Sequence, residues 1–273
     1  MDNIHNYYSP NDLYNQILNG LDKLGKDLSS LSIDDLQPVD EFHIRGDKAT
    51  KELIQLSGFT SDMHILDVGC GIGGSTRRLY HDIGCTVTGI DLSDQYIDTA
   101  ERLTSLLGME SHVSFKAASA LELPFGDKTF DGAWSLQMNM NVEDKLGWLK
   151  ELYRILKPGT QAVLYEVCAG TQTPVYFPVP WAQDSSMSFL IQLADFKALI
   201  QQSGFEVTHW NDRTDSALEA FSQVTKPVGE VALPPLGVHL LVGNDIKTKA
   251  YNLRRNLEEN RVSLIETLVT KTR

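Results

Sequence analysis

Short apolar runs alternate with amphipathic segments through the middle of the chain. Five runs are bounded by turn-forming residues, and the segments between them repeat apolar residues at helical spacing, as Ile97, Ala100 and Leu103 do. The predicted strands are residues 64–68, 85–91, 112–116, 130–135 and 161–167, and the predicted helices are residues 75–83, 94–107 and 142–156. This alternation is typical of an α/β protein with a doubly wound, mostly parallel sheet and helices on both faces.

The residues before this region have a different pattern. Leu13, Ile17 and Leu21 recur at helical spacing, and a second helix is predicted over 47–57, ended by Gly58. Residues 37–46 combine Pro, Gly, an aromatic residue, a His and an Arg, which favours an ordered loop. We therefore expect residues 1–62 to form a helical cover over a core of residues 63–244.

After the fifth strand a Pro-rich insertion near residues 169–190 interrupts the pattern. A long irregular stretch inside a compact domain is usually functional, so we expect a lid. A helix over 193–203, a sixth strand over 205–210 and a seventh strand over 236–243 are predicted next. Residues 245–273 are predicted to be an amphipathic helix, which either packs on its own domain or makes a homodimer contact.

Composition excludes some classes of partner. The net charge of −12 argues against nucleic acid, since phosphate binding needs clustered Lys and Arg. No apolar run approaches the roughly 18 residues of a membrane span, and the polar N-terminus does not resemble a signal peptide. Three cysteines are an odd number, which indicates a reducing compartment. We expect a cytoplasmic protein without a membrane partner.

The candidate chemistry begins at a glycine-rich turn after the first strand. Its spacing, Gly69-x-Gly71-x-x-Gly74, matches the dinucleotide-binding fingerprint, and Asp91 ends the next strand at a distance suited to a ribose diol. On this feature alone an NAD-dependent oxidoreductase stays open. Cys70 lies inside the turn, where a small residue filling space is favoured over a nucleophile because no base lies nearby in sequence.

Three further features favour a different cofactor. Asp67, two residues before the first glycine, would repel a pyrophosphate but suits a cofactor with a cationic amino group. Small residues follow the third strand in the segment 115–125, where an adenine could lie flat. The segment 152–159, Leu-Tyr-Arg-Ile-Leu-Lys-Pro-Gly, precedes the fifth strand.

With these motifs the chain, from about residue 64 to residue 210, resembles the class I S-adenosylmethionine-dependent methyltransferases. The resemblance implies a seven-stranded sheet with the last strand antiparallel, and S-adenosylmethionine as cofactor with S-adenosylhomocysteine as product. It departs from the family at Ser119, where relatives often carry an Asp. The cofactor-binding residues that we infer are Asp67, Gly69, Cys70, Gly71, Gly73, Asp91, Leu92, Ser119, Ala120, Leu121 and Gln137.

The cover and the insertion resemble small-molecule methyltransferases of the sarcosine and dimethylglycine N-methyltransferase type. A hydroxyl acceptor benefits from a general base, whereas a neutral amine needs none. We expect His43, Gln137 and Glu166 to be catalytic candidates. Arg45 either clamps a carboxylate or pairs with Asp40 or Asp47. The expected acceptor-binding residues are Tyr7, Tyr8, Arg45, Asn139 and Trp181.

These expectations predict transfer of a methyl group from S-adenosylmethionine to an amine or hydroxyl of a small molecule by in-line displacement, without a metal ion. A nucleotide-dependent oxidoreductase remains an alternative. A cofactor-binding module that has lost catalytic activity is a second alternative, because Ser119 and Gln137 depart from the family pattern.

Overall fold

One seven-stranded sheet forms the centre of the protein. The structure is a computed structural model and describes residues 4, 7–8, 12–227 and 232–272. The strand order is β3-β2-β1-β4-β5-β7-β6, and β7 is antiparallel to both of its neighbours. The strands are β1 (His64–Val68), β2 (Thr86–Asp91), β3 (Val113–Ala117), β4 (Phe130–Leu136), β5 (Leu156–Ala169), β6 (Glu206–Asp212) and β7 (Val262–Thr270). The predicted fold class is confirmed.

Helices cover both faces of the sheet because its central strands carry apolar side chains on both sides. Within the described residues the helices are α1 (Leu13–Lys23), α2 (Ile33–Asp40), α3 (Gly46–Ser57), α4 (Gly74–Ile83), α5 (Asp94–Leu106), α6 (Lys145–Ile155), α7 (Leu193–Gln202), α8 (Thr214–Ala220), α9 (His239–Val242) and α10 (Ile246–Glu258). One apolar cluster joins the sheet to α3, α4 and α10, and another joins it to α6 and α7. Both faces of the sheet are therefore withdrawn from water.

The N-terminal cover packs on the rim of the core. Leu13, Ile17 and Leu21 of α1 are buried against Leu103 of α5 and Leu241 of α9. Helix α2 continues this cluster with Leu36 and Val39, so it holds the first part of the expected loop 37–46 in helical form. The cover thus packs along α5, from Tyr96 in its first turn to Leu103 near its end.

Two predicted C-terminal elements were wrong. Residues 236–243 hold the short helix α9, not the seventh strand. Residues 245–273 are not one helix, because α10 ends at Glu258 and the chain continues as β7. The pair Leu264 and Leu268 fits either a helical or a strand repeat. The β-branched residues around that pair and the backbone groups of β5 and β6 on either side favour the strand.

The insertion after β5 is anchored to α10. The side chain of Asn256 bonds the backbone of Tyr176 twice, at 2.8 and 2.9 Å, and Asn252 donates to the Pro178 carbonyl at 2.9 Å. Trp181, within the insertion, is 2% exposed. Among the described residues no helix is both long enough and apolar enough to cross a membrane.

Candidate active site

The carboxyl ends of β1, β2, β3 and β4 meet at one edge of the sheet, around the point where the strand order reverses. A cavity of about 410 Å³ lies there, within the range of small-molecule sites. Described residues from all four strand ends and from the cover line it. They include Tyr8, Asp40, Phe42, His43, Gly69, Cys70, Gly71, Ile72, Asp91, Leu92, Tyr96, Ser119, Ala120, Leu121, Gln137, Met138, Asn141, Glu143, Asp144, Phe189 and Leu241. The predicted cofactor residues are brought together here, apart from Asp67 and Gly73.

The glycine turn closes tightly over the end of β2. The amides of Gly69 and Cys70 both donate to the Ile90 carbonyl, at 2.8 and 2.9 Å. Gly69 has φ +78°, and a Cβ there would lie 2.5 Å from the Met138 side chain. A side chain at this position would therefore oppose both the backbone conformation and the packing of the cavity wall.

Asp91 links the second strand to this turn. One carboxylate oxygen accepts a hydrogen bond from the Gly71 amide at 3.0 Å, and the other accepts from the Ser93 amide at 2.9 Å. The carboxylate also borders the cavity. Its position agrees with the role that the resemblance implied.

Asp67 has a different position from the one expected. Its carboxylate accepts hydrogen bonds from Ser75 at 2.8 Å and Thr76 at 2.7 Å, and it is 1% exposed and does not line the cavity. Burial raises the pKa of this carboxyl to about 6. Asp67 holds the first turn of α4 against β1, so its contribution to the site is through the shape of the glycine turn.

The wall opposite the turn is formed by the segment after β3. Leu92, Ala120 and Leu121 give it an apolar surface, and the Ser119 hydroxyl accepts from the Leu121 amide at 3.2 Å. Ser119 thus stabilises its own turn. A flat, mostly apolar wall of this kind suits an adenine ring.

Asp40, at the end of α2, is a cavity residue that the sequence pattern did not single out. One of its oxygens accepts from the buried Arg77 guanidinium at 2.7 Å, and burial raises the pKa of the carboxyl. The other oxygen is buried and has no hydrogen-bond partner among the described residues. An unpartnered buried carboxylate oxygen fits a cationic group, since it otherwise loses its solvation without compensation. The sequence shows an acidic residue at this position of the cover, but the sequence alone could not place it beside the cavity.

Tyr8 and Asn141 join the cover to the core across the cavity. The Tyr8 hydroxyl donates to the Asn141 side chain at 3.0 Å, and Asn141 donates to the carbonyls of Trp181 and Met187. Tyr7 donates to the Pro180 carbonyl at 2.9 Å and does not line this cavity. Of the two expected tyrosines, Tyr8 therefore lies at the site.

His43 lies in the wall of the cavity within a buried polar cluster. Its Nε2 is 3.0 Å from the Thr50 hydroxyl, and that hydroxyl donates to Glu41 at 2.7 Å. Burial lowers the pKa of His43 to about 4 and raises the pKa of Glu41 to about 7. The imidazole is consequently neutral near pH 7, as a general base must be before it accepts a proton.

Gln137 follows β4 and has φ +55°, an uncommon conformation for a residue with a side chain. Its Oε1 accepts a hydrogen bond from the Ile44 amide at 3.1 Å. Its Nε2 is buried and has no hydrogen-bond partner among the described residues. Gln137 therefore holds the cover loop with one atom and retains a donor with the other.

Glu166 and Asn139 lie behind the cavity wall. Glu166 is fully buried and accepts hydrogen bonds from Ser135 and from the amides of Met138 and Asn139, at 2.8, 3.0 and 2.9 Å. Asn139 donates to the Val167 carbonyl at 3.1 Å. Burial raises the pKa of Glu166 to about 8. Neither side chain lines the cavity, so the structure gives both a supporting position.

Arg45 and Trp181 are also separated from this cavity. Arg45 makes two hydrogen bonds to Glu52, at 2.7 and 2.8 Å, instead of pairing with Asp40 or Asp47. Trp181 lines a second, smaller cavity of about 160 Å³. Among the described residues no cluster of three or more His, Cys, Asp or Glu side chains is arranged to hold a metal ion.

The core of the chain matches a known family. Residues 66–164, which run from β1 into β5, match the family model described as a methyltransferase domain. Over this segment the chain is similar to a methyltransferase domain. This confirms the resemblance drawn from the sequence motifs, and it favours methyl transfer over the nicotinamide chemistry that the glycine turn alone left open.

Individual methyltransferases extend the likeness beyond that segment. Methyltransferase GfsG of Streptomyces halstedii is 27% identical over 209 residues, which cover 76% of this chain and 72% of that protein. O-methyltransferase cnsE of Penicillium expansum is 32% identical over 168 residues, covering 61% and 60%. The solved structure of geranyl diphosphate C-methyltransferase from Streptomyces coelicolor A3(2), with S-adenosylhomocysteine bound, has a TM-score of 0.69 at 16% identity, covering 99% and 97%. At that identity the structural likeness shows the shared fold alone.

Proposed function

We propose that this methyltransferase transfers a methyl group from S-adenosylmethionine to a hydroxyl or amine of a small molecule. The observation that carries the proposal is one cavity that joins the glycine turn and Asp91 to the covering residues Phe42 and His43. The methyl-donor end and the acceptor end of a reaction can then share one enclosed space. The similar structure with S-adenosylhomocysteine bound and the relative named an O-methyltransferase support the same interpretation.

The residues present fit this cofactor. Asp40 offers an unpartnered carboxylate oxygen suited to a cationic amino group, and Asp91 offers charged acceptors suited to ribose hydroxyls. The wall of Leu92 and Ala120 suits the adenine ring. When bound, S-adenosylmethionine supplies an electrophilic methyl group on a cationic sulfur.

The chain's own contribution to the reaction is position, enclosure and proton transfer. Tyr8, Asn141 and the insertion hold the cover against the core, which excludes water and fixes the acceptor. Holding reactants in line can contribute about 7–11 kcal/mol in favourable cases. We assign His43 as the base for a hydroxyl acceptor because, among the described residues, it is the only histidine that lines the cavity.

Two measurements test the proposal. Calorimetry should detect binding of S-adenosylhomocysteine, and incubation of the enzyme with labelled S-adenosylmethionine and a cell extract should label a small molecule that mass spectrometry identifies. Absence of binding, or substrate-dependent consumption of a nicotinamide, would overturn the proposal. Binding without transfer to any extract component would favour a degenerate cofactor-binding module.

We also propose a cytoplasmic location and a helical cover formed by residues 1–62. The location is supported by Cys70, Cys85 and Cys168, which are all buried as free thiols. Cell fractionation tests it, and recovery in a membrane pellet would contradict it. Sedimentation velocity separately tests the expected alternative of a homodimer.

A further inference from the structure

The second cavity lies behind the first, between the cover loop, the insertion and α10. It has a volume of about 160 Å³. Its described walls are mainly apolar and are formed by Glu41, Phe42, His43, Ile44, Gln137, Met140, Pro180, Trp181, Phe221, Val238, Ile246, Ala250 and Leu253. An engineered apolar cavity of about 150 Å³ in another protein stays dry and binds benzene. The space here is therefore suited to an apolar group of about six carbon atoms.

The second cavity adjoins the first at three shared residues. Phe42, His43 and Gln137 line both spaces. A ligand group in the second cavity would thus lie against the same imidazole that borders the proposed transfer site. This adjacency connects the second cavity to the acceptor end of the reaction.

At the junction of the two cavities, Gln137 favours a ligand with a hydrogen-bond acceptor. Its Oε1 is engaged by the Ile44 amide, while its Nε2 is buried without a hydrogen-bond partner among the described residues. A buried donor left unpaired has lost its hydrogen bonds to water without a replacement. An oxygen or nitrogen acceptor atom of a ligand at this position would remove that cost.

The charges around both cavities disfavour an anionic ligand. No Lys or Arg is among the described residues that line either space. The second cavity is instead bordered by the acidic side chain of Glu41. Arg45, the expected carboxylate clamp, is bound to Glu52. A carboxylate or phosphate on the ligand would lose its solvation without a cationic partner and would face like charges.

We propose that the second cavity is an acceptor subsite for a neutral molecule, which places a ring or branched hydrocarbon of about six carbons there and a polar atom beside Gln137. This inference rests on the proposed function and names its substrate class. It separates the protein from methyltransferases whose acceptors are amino acid zwitterions, such as sarcosine and dimethylglycine.

The test uses p-cresol, a neutral phenol, as the probe. Calorimetric titration of p-cresol into the protein, alone and saturated with S-adenosylhomocysteine, should detect binding. The matched probe 4-hydroxybenzoate replaces the methyl group with a carboxylate and should bind at least tenfold more weakly. Equal affinity for the two probes, or no binding of p-cresol, would overturn the proposal.

Three variants locate the probe. Ala250→Leu adds three carbons to a cavity-lining side chain of α10 and should weaken p-cresol binding at least tenfold. Ala220→Leu makes the same change at an exposed position of α8 and should leave the affinity unchanged. Phe221→Ala enlarges the cavity and should favour 4-butylphenol over p-cresol. If Ala250→Leu binds p-cresol as tightly as the unmodified protein does, the cavity is not the site.

The two proposals fail in different ways. If S-adenosylhomocysteine does not bind but p-cresol binds and the variants act as expected, the proposed methyl transfer is wrong and the apolar site is supported. If the cofactor product binds and the probe pattern is absent, the subsite assignment falls and methyl transfer stands.

Discussion

Gln137 Oε1 accepts a hydrogen bond from the Ile44 amide at 3.1 Å and so ties the end of a central strand to the cover loop. Gln137→Leu should leave the Ile44 amide unpaired and lower the free energy of unfolding by about 1–3 kcal/mol. Gln137→Glu keeps an acceptor for that amide and should retain more of the stability. Urea denaturation distinguishes them, and equal losses in both variants would argue against the bond.

The carboxylate of Asp91 both anchors Gly71 and borders the cavity. Asp91→Ala should therefore weaken S-adenosylhomocysteine binding at least tenfold, since each charge-assisted hydrogen bond contributes about 1.5–3 kcal/mol. Calorimetry is the measurement. Asp98→Ala, at an exposed position of α5, is the matched control and should bind normally. An unchanged affinity in Asp91→Ala would refute the assignment.

The backbone at Gly69 combines positive φ with close packing against Met138. Gly69→Ala should lower the free energy of unfolding by about 2–4 kcal/mol through backbone strain and overpacking. Gly108→Ala meets the same strain at φ +67° but has no atom within 4 Å of the new Cβ, so a loss of about 1 kcal/mol is expected. Chemical denaturation compares the two variants. A larger loss at Gly108 would contradict the packing argument.

The pair formed by Glu41 and His43 should carry one proton in the folded and the unfolded states over much of the acidic range. Unfolded, near pH 5.5, the His is charged and the Glu ionised, whereas in the fold burial favours the neutral form of both. Their contributions to the pH dependence of stability are opposite and should largely cancel. Asp40, Asp47 and Arg78 also act on Glu41, and Asp47 also acts on His43.

Removing one residue of the pair should reveal how the other makes the free energy of unfolding depend on pH. In His43→Gln the remaining Glu41 has its pKa raised to about 7, so the folded state binds more protons and stability falls as the pH rises from about 5 to 7. In Glu41→Gln the remaining His43 has its pKa lowered to about 4, so stability rises with pH over about 4 to 6.5. Each change should reach up to about 3 kcal/mol. Urea titrations at about pH 5 and pH 7 measure it, and slopes of the same sign in both variants would contradict it.

Glu166 should act as a structural acceptor and not as a catalytic acid or base. Glu166→Gln retains an oxygen for the amides of Met138 and Asn139, and its methyl-transfer rate should change less than tenfold. Glu166→Leu leaves those buried amides unpaired and should lower the free energy of unfolding by at least about 3 kcal/mol. A rate loss of a thousandfold in a stably folded Glu166→Gln would instead make Glu166 catalytic.

The sequence determined the parts of the site that depend on local spacing. The glycine turn must follow β1 directly, and Asp91 must end β2, so both reach the same edge of a parallel sheet. The alternation of strands and helices likewise fixed the sheet and the first six strands. These features come from backbone geometry within about 30 residues of chain, where periodicity and glycine positions are informative.

The tertiary structure decided the features that join distant segments. Strand β7 was missed because Leu264 and Leu268 fit two periods, and only its place between β5 and β6 satisfies the backbone groups of all three strands. Asp40 was not identified because its role arises from Arg77, 37 positions away, and from the enclosure of its second oxygen. Arg45 is bonded to Glu52, whose carboxylate also accepts a hydrogen bond from Arg213, 161 positions away. Charge pairing and burial across the fold set these outcomes, and residue type alone does not encode them.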